Sequence, residues 1–229
     1  MNKIDNFNTN LGKFARAIME IIEYSSDIQN ERNLRKLELT EIIKNIKVEI
    51  EELNSKNQKV KLITKHETFI DKMTFVYIAS KFEAFLNDVF LNLIELYSKC
   101  LISDKQISHK KILEYENLNE FKNDIRKEML EEFSFASFSD KMKIINTKFN
   151  IDLTETIYHK SIIEILTSRN IILHNDSKVN ETFNKFNSHL NLNIDFEIII
   201  NSAKIRFYSM CLIEFSIVLI NKIENKINK

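Results

Sequence analysis

The residues best suited to chemistry lie in one short segment, Arg169–His174, which reads RNIILH. Arg169 supplies a permanent cation, Asn170 an amide, and His174 an imidazole that can gain or lose a proton near neutral pH. A site at this segment could therefore present a fixed positive charge beside a proton donor. Whether it does so depends on the element that carries the three side chains.

A helix from Thr154 to about His174 is predicted to carry this segment. The Thr154 hydroxyl is a suitable N-cap because it can accept a free amide of the first turn, and Asn175–Ser177 should end the helix. At about 100° per residue, one side of the helix is apolar; this stripe contains Tyr158, Ile162, Ile165, Leu166 and Leu173. Arg169 falls within the stripe, where burial of its charge is costly unless a partner neutralises it. Either a carboxylate meets Arg169, or the stripe faces a cleft or a partner subunit.

Asn170 and His174 are four residues apart, so they should lie together on the flank of the stripe. Arg169 is roughly 140° from His174 around the helix axis, but its side chain is long enough to curl back. The helix dipole favours positive charge in the last turn, which makes His174 a reasonable proton donor. A purely structural alternative stays open: Arg169 pairs with a core acid, and His174 caps carbonyls at the helix end.

Apolar residues at three- and four-residue steps predict an all-α fold along the chain. Leu11–Leu53 should form one or two amphipathic helices that end near Asn54–Asn57 and make few contacts with the rest. The strongest stripe belongs to a helix over Leu62–Tyr97; its members are Phe75, Ala79, Phe82, Leu86, Val89, Leu93 and Tyr97. The other predicted elements are a connection at Ile102–His109 and helices at Lys110–Glu132, Ser139–Phe149, Glu181–Phe186 and Phe196–Glu224, the last of them capped by Asp195.

Composition restricts the function classes that remain. Lys+Arg and Asp+Glu both number 33 in the 229 residues, so any binding of nucleic acid or lipid must come from a local patch. Gly12 is the only glycine and proline is absent, which excludes a glycine-rich phosphate loop and favours helices joined by polar turns. Cys100 and Cys211 lack the spacing of zinc ligands, so free thiols and no bound metal are expected. Because no segment looks like a signal or a membrane span, a cytoplasmic location without membrane contact is expected.

The other histidines give weaker candidates. His66 is followed by Glu67 but not by a second histidine four residues on, so the helical zinc-protease pattern is missing. His159 lies about 22 Å along the same helix from His174 and cannot share its site. His109 and His189 have polar neighbours and are predicted to be surface residues.

Arg169, followed at once by Asn170, three apolar residues and His174, resembles the R-x4-6-H signature of HEPN domains, usually an RN...H string that ends a helix. A second segment, Ser80–Leu86 (SKFEAFL), is similar to the aromatic-Glu pattern on an earlier HEPN helix. The resemblance covers roughly Leu62–Glu224.

The resemblance implies a HEPN-like helical bundle over residues 58–229, preceded by an N-terminal helical extension, 1–57. It also implies a homodimer whose two motif copies line a shared cleft and cleave RNA without metal or cofactor. In such a site Arg169 would neutralise the phosphorane, with Asn170 as the polar residue beside it. His174 would activate the ribose 2′-hydroxyl or protonate the leaving oxygen, which leaves a 2′,3′-cyclic phosphate.

Neighbouring residues qualify this interpretation. HEPN proteins of this kind are often toxins or phage-defence effectors, which implies an antitoxin or defence-system partner. Members controlled by modification often carry a Tyr two residues after the His, whereas Asp176 stands there in this chain. Asn175 and Glu83 are supporting candidates, Glu83 as the acidic partner of Arg169. Two alternatives remain open: a catalytically silent HEPN-like dimeric scaffold that binds RNA or a nucleotide, and a coiled-coil-like interaction protein built around the N-terminal helices.

Overall fold

The computed structural model describes residues 9–17, 19–20, 50–101, 108, 112, 114–153 and 156–228. Regular structure in these ranges is helical and no strand forms there, which confirms the predicted all-α fold. The α-helices are α1 (9–17), α2 (Ile50–Leu96), α3 (Leu118–Phe135), α4 (Phe138–Phe149), α5 (His159–His174), α6 (Glu181–Phe186) and α7 (Ser202–Ile227); two 3-10 helices cover Ser98–Leu101 and Ser188–Leu190. None of the described helices is long and apolar enough to cross a membrane.

Helix α2 follows the strongest apolar stripe of the sequence. The stripe positions from Phe75 to Leu93 are at most 1% exposed, so the predicted face is part of the core. The helix begins at Ile50 and continues through Asn54–Asn57; the break predicted there was wrong. Asn and Ser each cost no more than about 0.7 kcal/mol in a helix interior, and neither glycine nor proline interrupts the segment.

Asparagine and aspartate take the place of glycine in the turns. The described residues with positive φ are Asn150 (51°), Asp176 (48°), Ser177 (64°), Asn191 (48°) and Asp195 (65°). All but the serine are Asn or Asp, whose short polar side chains tolerate the left-handed region better than most L-residues do. The helices are thus joined by polar turns, as the shortage of glycine and proline predicted.

The last long helix, α7, starts later than predicted. Its first residue is Ser202, and the Asn201 side chain accepts a hydrogen bond from the Lys204 amide (2.9 Å). Asn201 is therefore the N-cap, and the prediction of Asp195 was wrong. Residues 196–198 run beside the chain that leaves α5 and exchange backbone hydrogen bonds with it, so they are not free to be helical.

Helices α5 and α3 also begin later than the sequence predicted. Helix α5 starts at His159, after a turn at 157–158, and ends at His174 as predicted. Helix α3 starts at Leu118, after a non-helical stretch at 114–117, and the Asn117 side chain caps it by accepting two backbone amides; of the residues near the predicted start, 112 is helical, while 110, 111 and 113 lie outside the described residues. The ends of α4 and α6 lie within one residue of their predicted positions.

Four predictions fall wholly or largely outside the described residues. They are Thr154 as an N-cap, His109 as a surface residue, the connection at Ile102–His109, of which only 108 is described, and the part of Leu11–Leu53 that covers 18 and 21–49.

The chain divides into two compact units, and α2, α5 and α7 each contribute residues to both. The first unit consists of Met1–Phe14, Ser80–Leu166 and Cys211–Lys229, and the second of Ala15–Ala79 and Thr167–Met210. The division predicted from the resemblance, 1–57 and 58–229, has different boundaries from these two units and stays a prediction.

Aromatic rings fill the core of the first unit. Phe90 and Phe133 stack with their ring centroids 3.9 Å apart. Phe14 of α1 is 5% exposed and stacks on Phe85 at 5.0 Å. The expectation that the N-terminal helices make few contacts with the rest was therefore wrong for α1, because its one phenylalanine offers a large apolar surface to an existing aromatic cluster.

Aliphatic side chains dominate the core of the second unit. Phe75 and Tyr208 are in contact at 5.6 Å, and the other buried members include Ile171, Ile172, Val179, Phe183, Ile198, Ile200 and Ile205. Four of these residues, Val179, Phe183, Ile198 and Ile200, lie on the short segments between α5 and α7. The second unit therefore holds the end of α5, and with it the whole Arg169–His174 segment.

Candidate active site

The part of α5 that carries the motif is fixed at its start by a buried asparagine. Asn187 has no exposed surface, and its side-chain Nδ2 donates to the Thr167 hydroxyl (2.8 Å) and to the Phe183 carbonyl (3.0 Å). The turn just before Arg169 is thereby tied to α6 and the chain that follows it. Sequence reasoning did not find Asn187, because nothing in its local sequence separates it from the many other asparagines of the chain.

The three motif side chains have different surroundings. His174 is the last residue of α5 and is exposed, and Asn170, one turn earlier on the same flank, is exposed as well. Arg169 is half-buried, and its Nε atom is shielded from solvent. The structure thus brings Asn170 and His174 together on one accessible flank and places the guanidinium at the edge of the protein interior.

The apolar stripe predicted on α5 is buried in its first part and accessible at its end. Ile162, Ile165 and Leu166 are buried as predicted, but Leu173 is 45% exposed. Ile171 and Ile172 are buried in its place. The sequence predicted one straight apolar stripe and left open whether it faces a core acid, a cleft or a partner subunit. The exposure of Leu173 does not decide between these alternatives. Leu173, four residues after Arg169, is left on the accessible side with it.

The chain reverses immediately after His174, and this turn is unusually well fixed. The amides of Asn175 and Ser177 both donate to the Ile171 carbonyl, at 2.9 and 3.0 Å, and the Asn175 side chain donates to the Lys178 carbonyl at 2.6 Å. Asp176 and Ser177 both have positive φ. The predicted end of the helix at Asn175–Ser177 is confirmed, and the side-chain hydrogen bond of Asn175 stabilises the turn there.

A second segment holds the turn from outside. The Ile198 amide donates to the Ser177 carbonyl and the Val179 amide to the Phe196 carbonyl, both at 2.9 Å. Lys178 and Glu197 face each other in an isolated antiparallel bridge. We call the two paired segments, 175–179 and 195–198, the helix-end junction.

An ion pair connects the helix-end junction to α2. Lys72 Nζ lies 3.0 Å from Glu197 Oε1, and the two side chains are 16% and 60% exposed, respectively. Both residues belong to the second unit. Sequence reasoning missed the pair because 125 residues separate its members and single lysines carried no weight in so lysine-rich a chain.

Glu83, the predicted partner of Arg169, is a half-buried residue of α2 in the first unit, whereas Arg169 belongs to the second. Its pairing with Arg169 stays a prediction. His189 is exposed in the 3-10 helix Ser188–Leu190, as predicted for a surface histidine.

His159, at the opposite end of α5, has a different environment. Its ring contacts Phe138 at 5.1 Å, its Nε2 lies 3.4 Å from the Ser139 hydroxyl, and its Nδ1 is buried. Burial lowers the pKa of His159 from its ordinary value of 6.5, because the charged imidazolium loses more hydration than the neutral ring.

Neither cysteine pairs with the other, and burial raises the pKa of both thiols. A thiol with a raised pKa is a poor nucleophile at neutral pH. Among the described residues, no group of three or more His, Cys, Asp or Glu side chains is placed to hold a metal ion. The expectation that the protein binds no metal stays a prediction.

No protein-family model, no curated protein and no solved structure matches this chain. The resemblance to HEPN domains therefore rests on the motif residues themselves, and the function must be argued from them and from their surroundings.

Proposed function

We propose that this protein is a metal-independent endoribonuclease of HEPN type that cleaves RNA by attack of the ribose 2′-hydroxyl and leaves a 2′,3′-cyclic phosphate. One observation supports it above the others: His174 is exposed as the last residue of a helix, with Asn170 one turn earlier on the same flank and Arg169 next to Asn170 in the chain. An accessible imidazole at a fixed helix end can reach a substrate. A half-buried guanidinium has less competition from water for a phosphate oxygen.

The chemistry follows from the three groups. His174 takes the proton from the 2′-hydroxyl as it attacks the adjacent phosphorus, or gives a proton to the departing 5′-oxygen. Arg169 stabilises the extra negative charge of the phosphorane with its planar pair of N–H donors. Asn170 supplies an amide that can orient a phosphate or a sugar oxygen. No step in this scheme requires a metal or a cofactor.

We propose further that the active form is a homodimer with two motif copies in one cleft. The resemblance implies this dimer. Leu173, which is 45% exposed on the same side of α5 as Arg169, would lie at its interface. Light scattering at micromolar concentration should give the mass of a dimer. A monomer under those conditions would contradict the shared cleft.

The nuclease activity is tested by incubating a synthetic single-stranded RNA with the protein in excess EDTA. The wild type should cut it and release fragments whose mass corresponds to a terminal cyclic phosphate. The same strand with 2′-O-methyl groups should remain intact, because the attacking hydroxyl is blocked.

His174→Ala is the decisive variant, and His189→Ala is its matched control, since both histidines are exposed in the second unit. His174→Ala should lose cleavage while His189→Ala keeps it. Equal cleavage by both variants would exclude His174 as the catalytic group. Binding of RNA without cleavage by the wild type would favour the silent dimeric scaffold instead. A role as a toxin or defence effector, with a controlling partner, belongs to the same proposal.

A further inference from the structure

The turn after His174 has a backbone conformation that is energetically unfavourable for its residues. Asp176 and Ser177 are consecutive non-glycine residues with φ of 48° and 64°. The left-handed region costs an L-residue roughly 1–2 kcal/mol, somewhat less for aspartate. Such a backbone persists only when its surroundings fix it. The helix-end junction provides that fixation through its backbone hydrogen bonds to Ser177 and Val179.

The Lys72–Glu197 ion pair connects the helix-end junction to the long helix α2. Glu197 lies opposite Lys178 in the bridge, and its carboxylate meets Lys72 of α2 at 3.0 Å. The Lys72 side chain is 16% exposed and the Glu197 side chain 60%, so water screens the pair in part. A continuous series of contacts therefore runs from α2 through Glu197 and Ser177 to the Ile171 carbonyl, in the last turn of α5.

We propose that Lys72 and Glu197 are positioning residues for His174. The ion pair holds residues 195–198 in register with 177–179, and that register fixes the turn that sets the direction of the His174 side chain. This inference rests on the proposed nuclease function for its kinetic consequence, since a general acid or base must be held closely to its productive geometry. Its structural consequence, the placement of the His174 ring, does not depend on catalysis.

Lys72→Met is the variant that tests the proposal, because methionine keeps most of the side-chain length but removes the charge. Lys143→Met is the matched control: Lys143 pairs with Asp140 at the same distance, 3.0 Å, in the first unit. Lys72→Arg is the conservative variant, because it restores a cation that can meet Glu197.

We expect Lys72→Met to lower kcat for RNA cleavage about three- to fivefold, the kinetic equivalent of one partly exposed ion pair, with KM changed less than twofold. Lys143→Met should leave kcat unchanged, and Lys72→Arg should restore it. A rise in KM alone would indicate that Lys72 binds the substrate directly, and it would overturn the positioning role. An unchanged kcat in an active enzyme would overturn it as well.

Nuclear magnetic resonance of histidine-labelled protein gives a readout that does not need activity. The His174 ring signals, assigned by their loss in His174→Ala, should shift in Lys72→Met and stay in place in Lys143→Met. The His189 signals should stay in place in both. A lower melting temperature of Lys72→Met with unshifted His174 signals would mean that the pair is merely stabilising, and it would overturn the inference. If the wild type fails to cleave RNA, the nuclease proposal falls, and the His174 signals alone still decide this one.

Discussion

The two ends of α5 carry the same residue type in opposite surroundings. His159 begins the helix in the first unit, half-buried against Phe138 and Ser139. His174 ends the helix in the second unit, exposed beside a turn held by backbone hydrogen bonds. The first environment disfavours a charged ring, and the second leaves the ring open to a ligand.

This contrast shows that sequence position alone does not define the function of a histidine on a partly apolar helix. At His159, partial burial against Phe138 disfavours the charged ring. At His174, the positive-φ turn that follows directs the chain away from the end of α5 and leaves the imidazole accessible. The difference lies in what packs against each end of the helix, and four predictions test it.

The largest effect is expected when each histidine is removed in turn. His174→Ala should lower RNA cleavage by about 10²–10⁴-fold because the proton-transfer group is lost, with little change in stability. His159→Ala should leave cleavage nearly intact and lower the free energy of unfolding by about 1 kcal/mol, since a packed ring is removed. Cleavage assays and chemical denaturation of both variants measure this. A reversed pattern would place the chemistry at the first end of α5.

Substitution of Arg169 should have the next largest effect. Arg169→Ala should lower cleavage by about 10²–10³-fold, as expected when a donor to a developing negative charge is removed. Arg169→Lys should also be poor, because an ammonium group cannot replace the planar fork of N–H donors. Both variants should fold normally in a thermal melt. An active Arg169→Ala protein that loses about 3–5 kcal/mol of stability would show instead that the residue is a buried ion-pair partner.

The difference in burial between Ile172 and Leu173 predicts different costs for two adjacent truncations. Ile172→Ala should lower the free energy of unfolding by about 2 kcal/mol or more, because the side chain is only 9% exposed. Leu173→Ala should cost less than about 0.5 kcal/mol in the monomer, since the residue is 45% exposed. Urea denaturation at low protein concentration makes the comparison. Equal losses would mean that Leu173 contributes as much to the packing of the monomer as Ile172.

The smallest effect concerns the pH dependence of stability. Because the pKa of His159 is lowered in the folded state, the unfolded chain binds a proton more readily than the folded one. The contribution of His159 to stability is complete above its ordinary pKa of 6.5 and falls as the pH drops below that value.

His159→Phe should remove this part of the pH dependence, whereas Ser139→Ala should keep it, because burial lowers the pKa and the hydroxyl does not. Denaturant midpoints, measured from about pH 5 to about pH 8 on both sides of the ordinary histidine pKa, provide the check. A Ser139→Ala protein without the pH dependence would assign the shift to the hydrogen bond.

Much of the fold was predictable because it depends on local chemistry. The stripe from Phe75 to Leu93 repeats at helical spacing, and its burial follows from that spacing alone. The end of α5 after His174 was predictable for the same reason, since Asn, Asp and Ser compete with helical hydrogen bonds within a few residues. Asn201 was missed as the cap of α7 because residues 196–198 pair with 177–179, a contact between segments about twenty residues apart.

The sequence by itself determined that the chain is helical and that α5 ends at His174. It also identified Arg169, Asn170 and His174 as the side chains best suited to chemistry. These properties depend on side-chain type and on spacing within a few turns. Only the tertiary structure decided that the flank shared by His174 and Asn170 is exposed, that Leu173 is accessible while Ile172 is buried, and that Lys72 pairs with Glu197. Such properties depend on which distant segment packs against which face. Many lysines and asparagines of this chain are equivalent in sequence until packing makes one of them different.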